Sequence, residues 1–395
     1  MPVIPWKNLF YQWTLPIFGL HIPGDIACDM PIPEHKLHTL KKIFRRQCVV
    51  GATLQIIRHG ELGPLVTYGF SRLPDKQAAQ DTIYRTASIT KLVTALGAMR
   101  LIEQGLLDLD TDIGDLLGYA VRNPHYPDQA ITLRHLLSHS SGICDGPMYE
   151  KALTKAIPLT QLLEDAQNYV DTPPGKTFLY SNLAAGMVGS IMEYVTGLSL
   201  EALMQELVFH PLDVQAAYSL KNLPDLSRVA HIYRVLPNRK EPQFHVEERH
   251  QKADPMSSPD PQFHYRWASG NLFTDAVSLG KILCALCRGG EPILTKESLR
   301  FMATPLVSYG TAAPHMQHGL GMAIIDDPTL YHGKLYGHQG SAYGAMEGIF
   351  FDPETGNGIA FLDNGASEAR GDHLAQVNRE VITWALDQGD QAPWM

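Results

Sequence analysis

Apolar positions recur at two different periods along this chain, and the changes from one period to the other outline its elements. Between Glu34 and Arg46, Leu37, Leu40, Ile43 and Phe44 share one face at helical spacing while lysines and arginines occupy the other, which predicts a helix. Val49 to Ile57 and Leu65 to Phe70 are apolar runs on either side of His59-Gly60 and read as paired strands around a turn. Helical spacing returns at Ile89, Leu92, Val93, Leu96 and Met99, with Gly105 as a stop, and again at Leu183, Met187, Val188, Ile191 and Met192; from about 86 to 214 the chain reads as helix-dominated. Residues 222–266 break the pattern. They are polar and proline-rich (Pro237, Pro242, Pro255, Pro259, Pro261) and read as a long loop insertion, a lid or a mobile surface segment. An amphipathic helix follows over Val277 to Cys287, then strands at Gly348 to Phe351 and Ile359 to Leu362. A closing helix carries Leu374, Val377, Val381, Ile382 and Ala385.

The first 35 residues stand apart. Trp6, Leu9, Phe10, Tyr11, Trp13, Leu15, Ile17, Phe18 and Leu20 make residues 6–22 apolar-rich, but Gln12 and Pro16 interrupt the run and no basic cluster precedes it. A secretory leader needs a basic start, an unbroken apolar stretch and a small-residue cleavage site, and a membrane span needs about 20 apolar residues. The expectation is an N-terminal extension that packs on the body or on another copy in a homo-oligomer, in a cytoplasmic protein without a transmembrane segment. Hydrophobic residues at 45% and charged residues at 18% exclude a disordered chain, and 395 residues suffice for one large domain or two joined lobes. A net charge of −9 argues against a nucleic-acid surface. Of the five cysteines, Cys284 and Cys287 fall inside the predicted 277–287 helix with no second pair nearby, and read as buried thiols rather than a redox or zinc pair.

The chemistry concentrates at Ser88-Ile89-Thr90-Lys91, where the apolar-periodic helix begins. A serine hydroxyl needs a base within hydrogen-bond reach to act as a nucleophile, and residues three apart on a helix are neighbours. A helix N-terminus also offers positive partial charge and unpaired N–H groups to a developing oxyanion. The spacing alone is weak evidence, because Ser278-Leu279-Gly280-Lys281 repeats it. Two further elements follow Ser88 in order: Tyr180-Ser181-Asn182, after Pro173-Pro174-Gly175, and Gly337-His338-Gln339-Gly340-Ser341. Competing signatures fail. No serine lies in Gly-x-Ser-x-Gly. His135 and His139 lack the glutamate of a zinc helix, leaving His139 a structural histidine. Asp108, Asp110 and Asp112 are followed by Ile113 where a calcium loop needs glycine.

Ser-x-x-Lys, Tyr-x-Asn and His-x-Gly in this order resemble the serine β-lactamase and penicillin-binding-protein family, in the class C branch that includes DD-peptidases, D-aminopeptidases, transesterases and family VIII carboxylesterases. The likeness extends to Ile102–Asp110, Ile131–Gly142 and Thr196-Gly197, and covers residues from about 36 onward except 222–266. It implies an α+β fold: a mostly antiparallel sheet from both termini, flanked by helices, with an inserted helical lobe. The expected layout is an extension over 1–35 and a hydrolase domain over 36–395. Within that domain, 36–85 and 267–395 form the α/β lobe, 86–221 the helical lobe and 222–266 an insertion. The resemblance further implies acyl transfer through Ser88, Lys91 and Tyr180, with either Lys91 or Tyr180 as the base. An oxyanion would be held by the backbone N–H groups of Ser88 and Ser341, and substrate by Asn182, His338 and Gly340, with Asn182 positioning either the substrate amide or Lys91. No cofactor or metal is implied, and the partner is a small ester or amide. His338 stands where the family's Lys-Thr-Gly has its lysine, so less fixed positive charge is expected and esters should be preferred to β-lactams. The alternatives are a D-aminopeptidase or DD-carboxypeptidase, a weak β-lactamase, an acyltransferase and, outside enzymes, an acylatable sensor.

Overall fold

The computed structural model describes residues 14–15, 19–371 and 373–386. Nine strands form the path of one sheet: β1 (Ile26–Cys28), β2 (Gly51–Arg58), β3 (Glu61–Arg72), β4 (Val307–Ser308), β5 (Met316–His318), β6 (Ala323–Ile325), β7 (Leu335–Ala342), β8 (Ala345–Asp352) and β9 (Asn357–Asp363). Their order is β1-β3-β2-β9-β8-β7-β6-β5-β4, with Lys76–Gln77 added beside β3, and every neighbouring pair on the path is antiparallel. The seam between the N-terminal and C-terminal strands is β2 on β9, from Ile57 opposite Gly358 to Ala52 opposite Asp363. The expected α+β arrangement, a sheet assembled from both ends of the chain, is what forms.

The principal helices are α1 (Glu34–Arg46), α2 (Ile89–Glu103), α3 (Asn182–Thr196), α4 (Phe244–Gln251), α5 (Ala276–Cys287) and α6 (Gln376–Leu386). Successive side chains of a strand point to opposite faces, and the central strands feed two cores. Leu54, Ile56, Ile359, Phe361 and Phe350 join Leu40, Phe44, Val377 and Ile382 of α1 and α6. Ile57, Ala360, Leu362, Ile349 and Phe351 join Leu279, Leu283 and Leu286 of α5, within a core that also contains α2 and α3. Strands covered on both faces read as continuous apolar runs rather than alternation, hence the unbroken character of Gly348–Phe351 and Ile359–Leu362.

Helix α2 is buried almost all round, so its polar members need internal partners. Thr90 Oγ1 donates to Ala87 O at 2.5 Å and accepts from Leu272 N at 3.1 Å. Thr94 Oγ1 donates to Ala268 O at 3.1 Å and lies 2.8 Å from Tyr218 OH. These bonds tie the helix that begins at Ser88 to the 268–272 segment.

Two regions differ from the sequence reading. Within residues 222–266 lie a hairpin, Tyr233–Leu236 against Arg239–Pro242, and helix α4. The prolines sit where they do no harm to pairing, Pro237 in the turn and Pro242 at the strand end. Tyr233 and Val235 face inward, an alternation masked by the polar residues around it. Within residues 1–35, Ile26–Cys28 is the edge strand β1 paired with β3, and Leu15 is buried beside Cys48, Val50, Tyr233 and Val235. Residues 1–13 and 16–18 of the extension, with the expected oligomer contact, lie outside the described residues. No single helix among the described residues is long and apolar enough to cross a membrane.

Candidate active site

Ser88 occupies the N-cap position of α2, but its side chain makes no capping bond, so its hydroxyl is not consumed by the helix end. Ala87 before it is held at φ 44°, a left-handed conformation that an L side chain adopts only under constraint. The constraint is visible: Thr86 N donates to Leu272 O at 2.8 Å, and strand β7 runs close by at Gly340. A Cβ at Gly340 would lie 2.5 Å from Thr86 O and 3.3 Å from Ala87 Cβ. Only glycine lets β7 approach the turn that carries Ser88.

Lys91 is 5% exposed. Its Nζ lies 3.0 Å from Ser88 Oγ, 2.8 Å from Asn182 Oδ1 and 2.6 Å from Ser269 O. Burial lowers its pKa from the 10.5 of an ordinary lysine to about 7; Asp145 opposes the shift and Arg85 adds to it. A neutral amine has two N–H donors and one lone pair. With both donors taken by Asn182 Oδ1 and Ser269 O, the remaining direction points at the Ser88 hydroxyl.

Asn182 is aimed by Asp145. That carboxylate accepts from Asn182 Nδ2 at 2.7 Å, Asn182 N at 3.1 Å, Leu183 N at 2.9 Å and Ser181 Oγ at 3.1 Å. It thereby caps the start of α3, where a negative charge is favoured. Tyr180, just ahead of α3, exposes 38% of its surface and lines the same cavity as Ser88. The Lys91 ammonium nitrogen is 5.0 Å from its ring centroid. Desolvation pushes the phenol pKa up, with the Ser88 hydroxyl pulling it partly back, so Tyr180 is protonated at neutral pH. His139 fixes this segment: its ring packs 4.4 Å from that of Tyr180, its Nδ1 accepts from Ser181 N at 3.3 Å, and its carbonyl accepts from Leu179 N at 2.7 Å. Burial, with His318, Lys91 and His338 nearby, drives its pKa well down, which keeps the accepting nitrogen free of a proton.

Ser88, Tyr180, His338 and Ser341 line one cavity of about 470 Å³, together with Phe178, Tyr309, Met316, Phe350, Leu374 and Arg370. One apolar wall is Phe178 stacked on Tyr309 at 3.8 Å. Beyond Gly337, β7 has no strand on its β6 side among the described residues, so that edge is left to the Ser88 turn. His338 is buried, with Nδ1 2.7 Å from Gln339 O, and burial beside Lys91 lowers its pKa to about 3. It is neutral. The cavity nevertheless has a cation: Arg370 lines it and donates to Ser341 Oγ.

The structure therefore gathers Ser88, Tyr180 and Asn182 around Lys91, with His338 and Ser341 on the cavity that Ser88 and Tyr180 line. Asn182 holds Lys91, one of the two roles expected of it, and at Gly340 a Cβ would meet Thr86 O. Asp145, the Ser269 carbonyl and Arg370 carried no sequence signal: the first two act from loops with no motif, and Arg370 from a two-residue strand. The decoy separates cleanly: Ser278 Oγ accepts from Gln215 N at 3.1 Å, and Lys281 pairs with exposed Asp213 at 2.6 Å. His135 is turned away from His139 to accept from Thr132 N at 3.2 Å. No cluster of three or more metal-ligating side chains occurs among the described residues.

The esterase EstB of Burkholderia gladioli is 27% identical over 384 residues, spanning 86% of this chain and 92% of its own. Two solved structures share the fold. The octameric penicillin-binding protein homologue of Pyrococcus abyssi is 24% identical, with a TM-score of 0.71 over 88% of this chain and 76% of that one. EstCE1, described as a hydrolase with promiscuous acyltransferase activity, is 22% identical, with a TM-score of 0.73 over 89% and 98%. A family model described as beta-lactamase matches residues 38–382. With that match spanning most of its length, this chain belongs to the beta-lactamase family of serine hydrolases.

Proposed function

We propose that this protein hydrolyses esters or small amides through an acyl-enzyme on Ser88. The observation that carries the reading is the three-oxygen setting of Lys91, whose Nζ lies 3.0 Å from Ser88 Oγ while Asn182 Oδ1 and Ser269 O hold it from two other sides; in the neutral amine this leaves the lone pair to the serine hydroxyl. As Ser88 Oγ attacks the carbonyl carbon, Lys91 Nζ takes the hydroxyl proton and the carbonyl electron pair moves onto oxygen. The backbone N–H groups of Ser88 and Ser341 are assigned to that oxyanion; one such donor is worth roughly 10²–10³ in turnover. On collapse the bond to the leaving group breaks. The leaving group takes a proton from the Tyr180 phenol, which Lys91 replenishes. Water, activated by the same pair, then releases the acid and restores Ser88.

The apolar walls of the cavity favour an aliphatic or aromatic acyl group, and the likeness to EstB over 92% of that esterase's length favours esters. The test is turnover of p-nitrophenyl butyrate against nitrocefin, with the acyl group located on the Ser88 peptide by mass spectrometry. Faster ester turnover with the acyl group on Ser88 is expected. Faster nitrocefin hydrolysis, or no acylated Ser88 peptide, would refute the reading.

A further inference from the structure

A second cavity, of about 270 Å³, lies between the 222–251 region and the segment leading to Ser88. That size is just below the range of about 300–1,000 Å³ usual for drug-sized ligands, so its occupant is smaller. Leu220, Val229, Ile232 and Phe273 give it an apolar wall. Two polar groups on its lining are anomalous. His250 is 3% exposed, and among the described residues neither ring nitrogen has a hydrogen-bond partner. Arg85 is mostly buried, and among the described residues its one hydrogen bond runs from Nε to Asn271 Oδ1 at 3.2 Å, with the Tyr343 ring 5.5 Å away. Among the described residues no carboxylate lies within ion-pair distance of it.

Buried arginines are ordinarily paired and buried histidines hydrogen-bonded, because leaving either unsatisfied costs several kcal/mol by typical estimates. The charged neighbours do not supply the missing partner. Glu347 is the carboxyl group that acts on Arg85, but it is fully buried with neither oxygen hydrogen-bonded among the described residues, and burial with Asp363 beside it pushes its pKa well up against the opposing pull of Arg85. Glu247, on the cavity wall, accepts from Ile232 N at 3.1 Å and faces His231 Nε2 at 3.7 Å. Arg72 spends its guanidinium on Val229 O and Leu226 O at 2.9 and 2.7 Å, and Arg249 donates to Tyr343 OH at 2.6 Å.

We propose that this cavity is a second ligand site, for a small aliphatic carboxylate, with Arg85 and His250 holding the carboxylate and the chain lying on Leu220, Val229, Ile232 and Phe273. The site is separate from the cavity beside Ser88 and does not depend on the acyl-transfer reading. The 226–232 segment and α4, through Glu247, His250 and Gln251, supply much of the cavity wall.

Sodium hexanoate titrated into the full chain is expected to raise the Tm saturably. 1-Hexanol, with the same chain length and no charge, is expected to act roughly tenfold more weakly or less. Arg85→Gln is expected to weaken hexanoate about tenfold or more, and Val229→Trp, which fills the cavity, to abolish its effect. Should a variant fail to fold, the ¹⁵N resonances of the His250 ring in the unmodified chain decide: they move with hexanoate if the site is real. No saturable Tm shift, unmoved His250 resonances, or a shift that survives both substitutions would overturn the proposal; the last would place the acid beside Ser88.

Discussion

Two segments of this chain carry the same Ser-x-x-Lys spacing at the start of a helix, and the fold treats them in opposite ways. At Ser278 the hydroxyl is spent on Gln215 N, and Lys281 reaches a surface aspartate. At Ser88 the hydroxyl makes no cap, and Lys91 is shut away from water between two acceptor oxygens. Helical spacing brings an amine to a hydroxyl in both places. What differs is burial, which lowers the Lys91 pKa to about 7, and the groups that orient the amine, which come from residues 145, 182 and 269. The local motif supplies reach, and distant segments supply the protonation state.

The widest separation is expected from the lysines. Lys91→Met should lower ester kcat/KM by about 10³-fold or more, since a positioned general base contributes roughly 10²–10⁴, while Lys281→Met should leave it unchanged. The same Lys91→Met change should raise the Tm at neutral pH, by roughly 2–4 °C for each kcal/mol recovered, because a depressed lysine pKa is a cost. The sign follows from linkage: between about 7 and 10.5 the unfolded chain binds more protons than the folded one, so stability rises with pH across that window. Below about 7 the penalty is fully present. Methionine at 91 should flatten that slope.

Next in size is the pH profile. If the lone pair of Lys91 takes the serine proton, ester kcat/KM falls tenfold per unit below about pH 7 and is about 100-fold lower at pH 5 than on the plateau. A flat profile over pH 5–8 would remove Lys91 from the role of base. A smaller effect is expected of Asp145→Asn: roughly a tenfold loss of kcat, with the acidic limb moving to lower pH, since Asp145 holds the Lys91 pKa up. A kcat loss without that displacement would mean that Asp145 only caps α3. Smallest of all, Ser278→Ala should cost about 1 kcal/mol in chemical denaturation for its bond to Gln215 N, and nothing in turnover.

Much of this was legible from the residues alone. The central strands announce themselves as unbroken apolar runs because both faces are covered, and α1 reads clearly because its outer face is charged. Ser88, Lys91 and Tyr180 stood out through the order of three short motifs. The hairpin at Tyr233–Pro242 escaped because its inward positions, Tyr233 and Val235, are too few to stand out against proline and charge. Asp145 and the Ser269 carbonyl escaped for a different reason: an orienting group is chosen by where a loop passes, and a backbone carbonyl has no residue type to read. At Gly340, which the motif assigns to substrate, the lack of a side chain also lets β7 approach Thr86, a packing need the motif does not spell out.

The contrast between the two serines is tested most directly by intact-mass analysis after treatment with a fluorophosphonate probe. A single adduct is expected on the unmodified chain and on Ser278→Ala, and none on Ser88→Ala. An adduct of equal yield on Ser88→Ala, or no adduct on the unmodified chain, would contradict the assignment of Ser88 as the nucleophile.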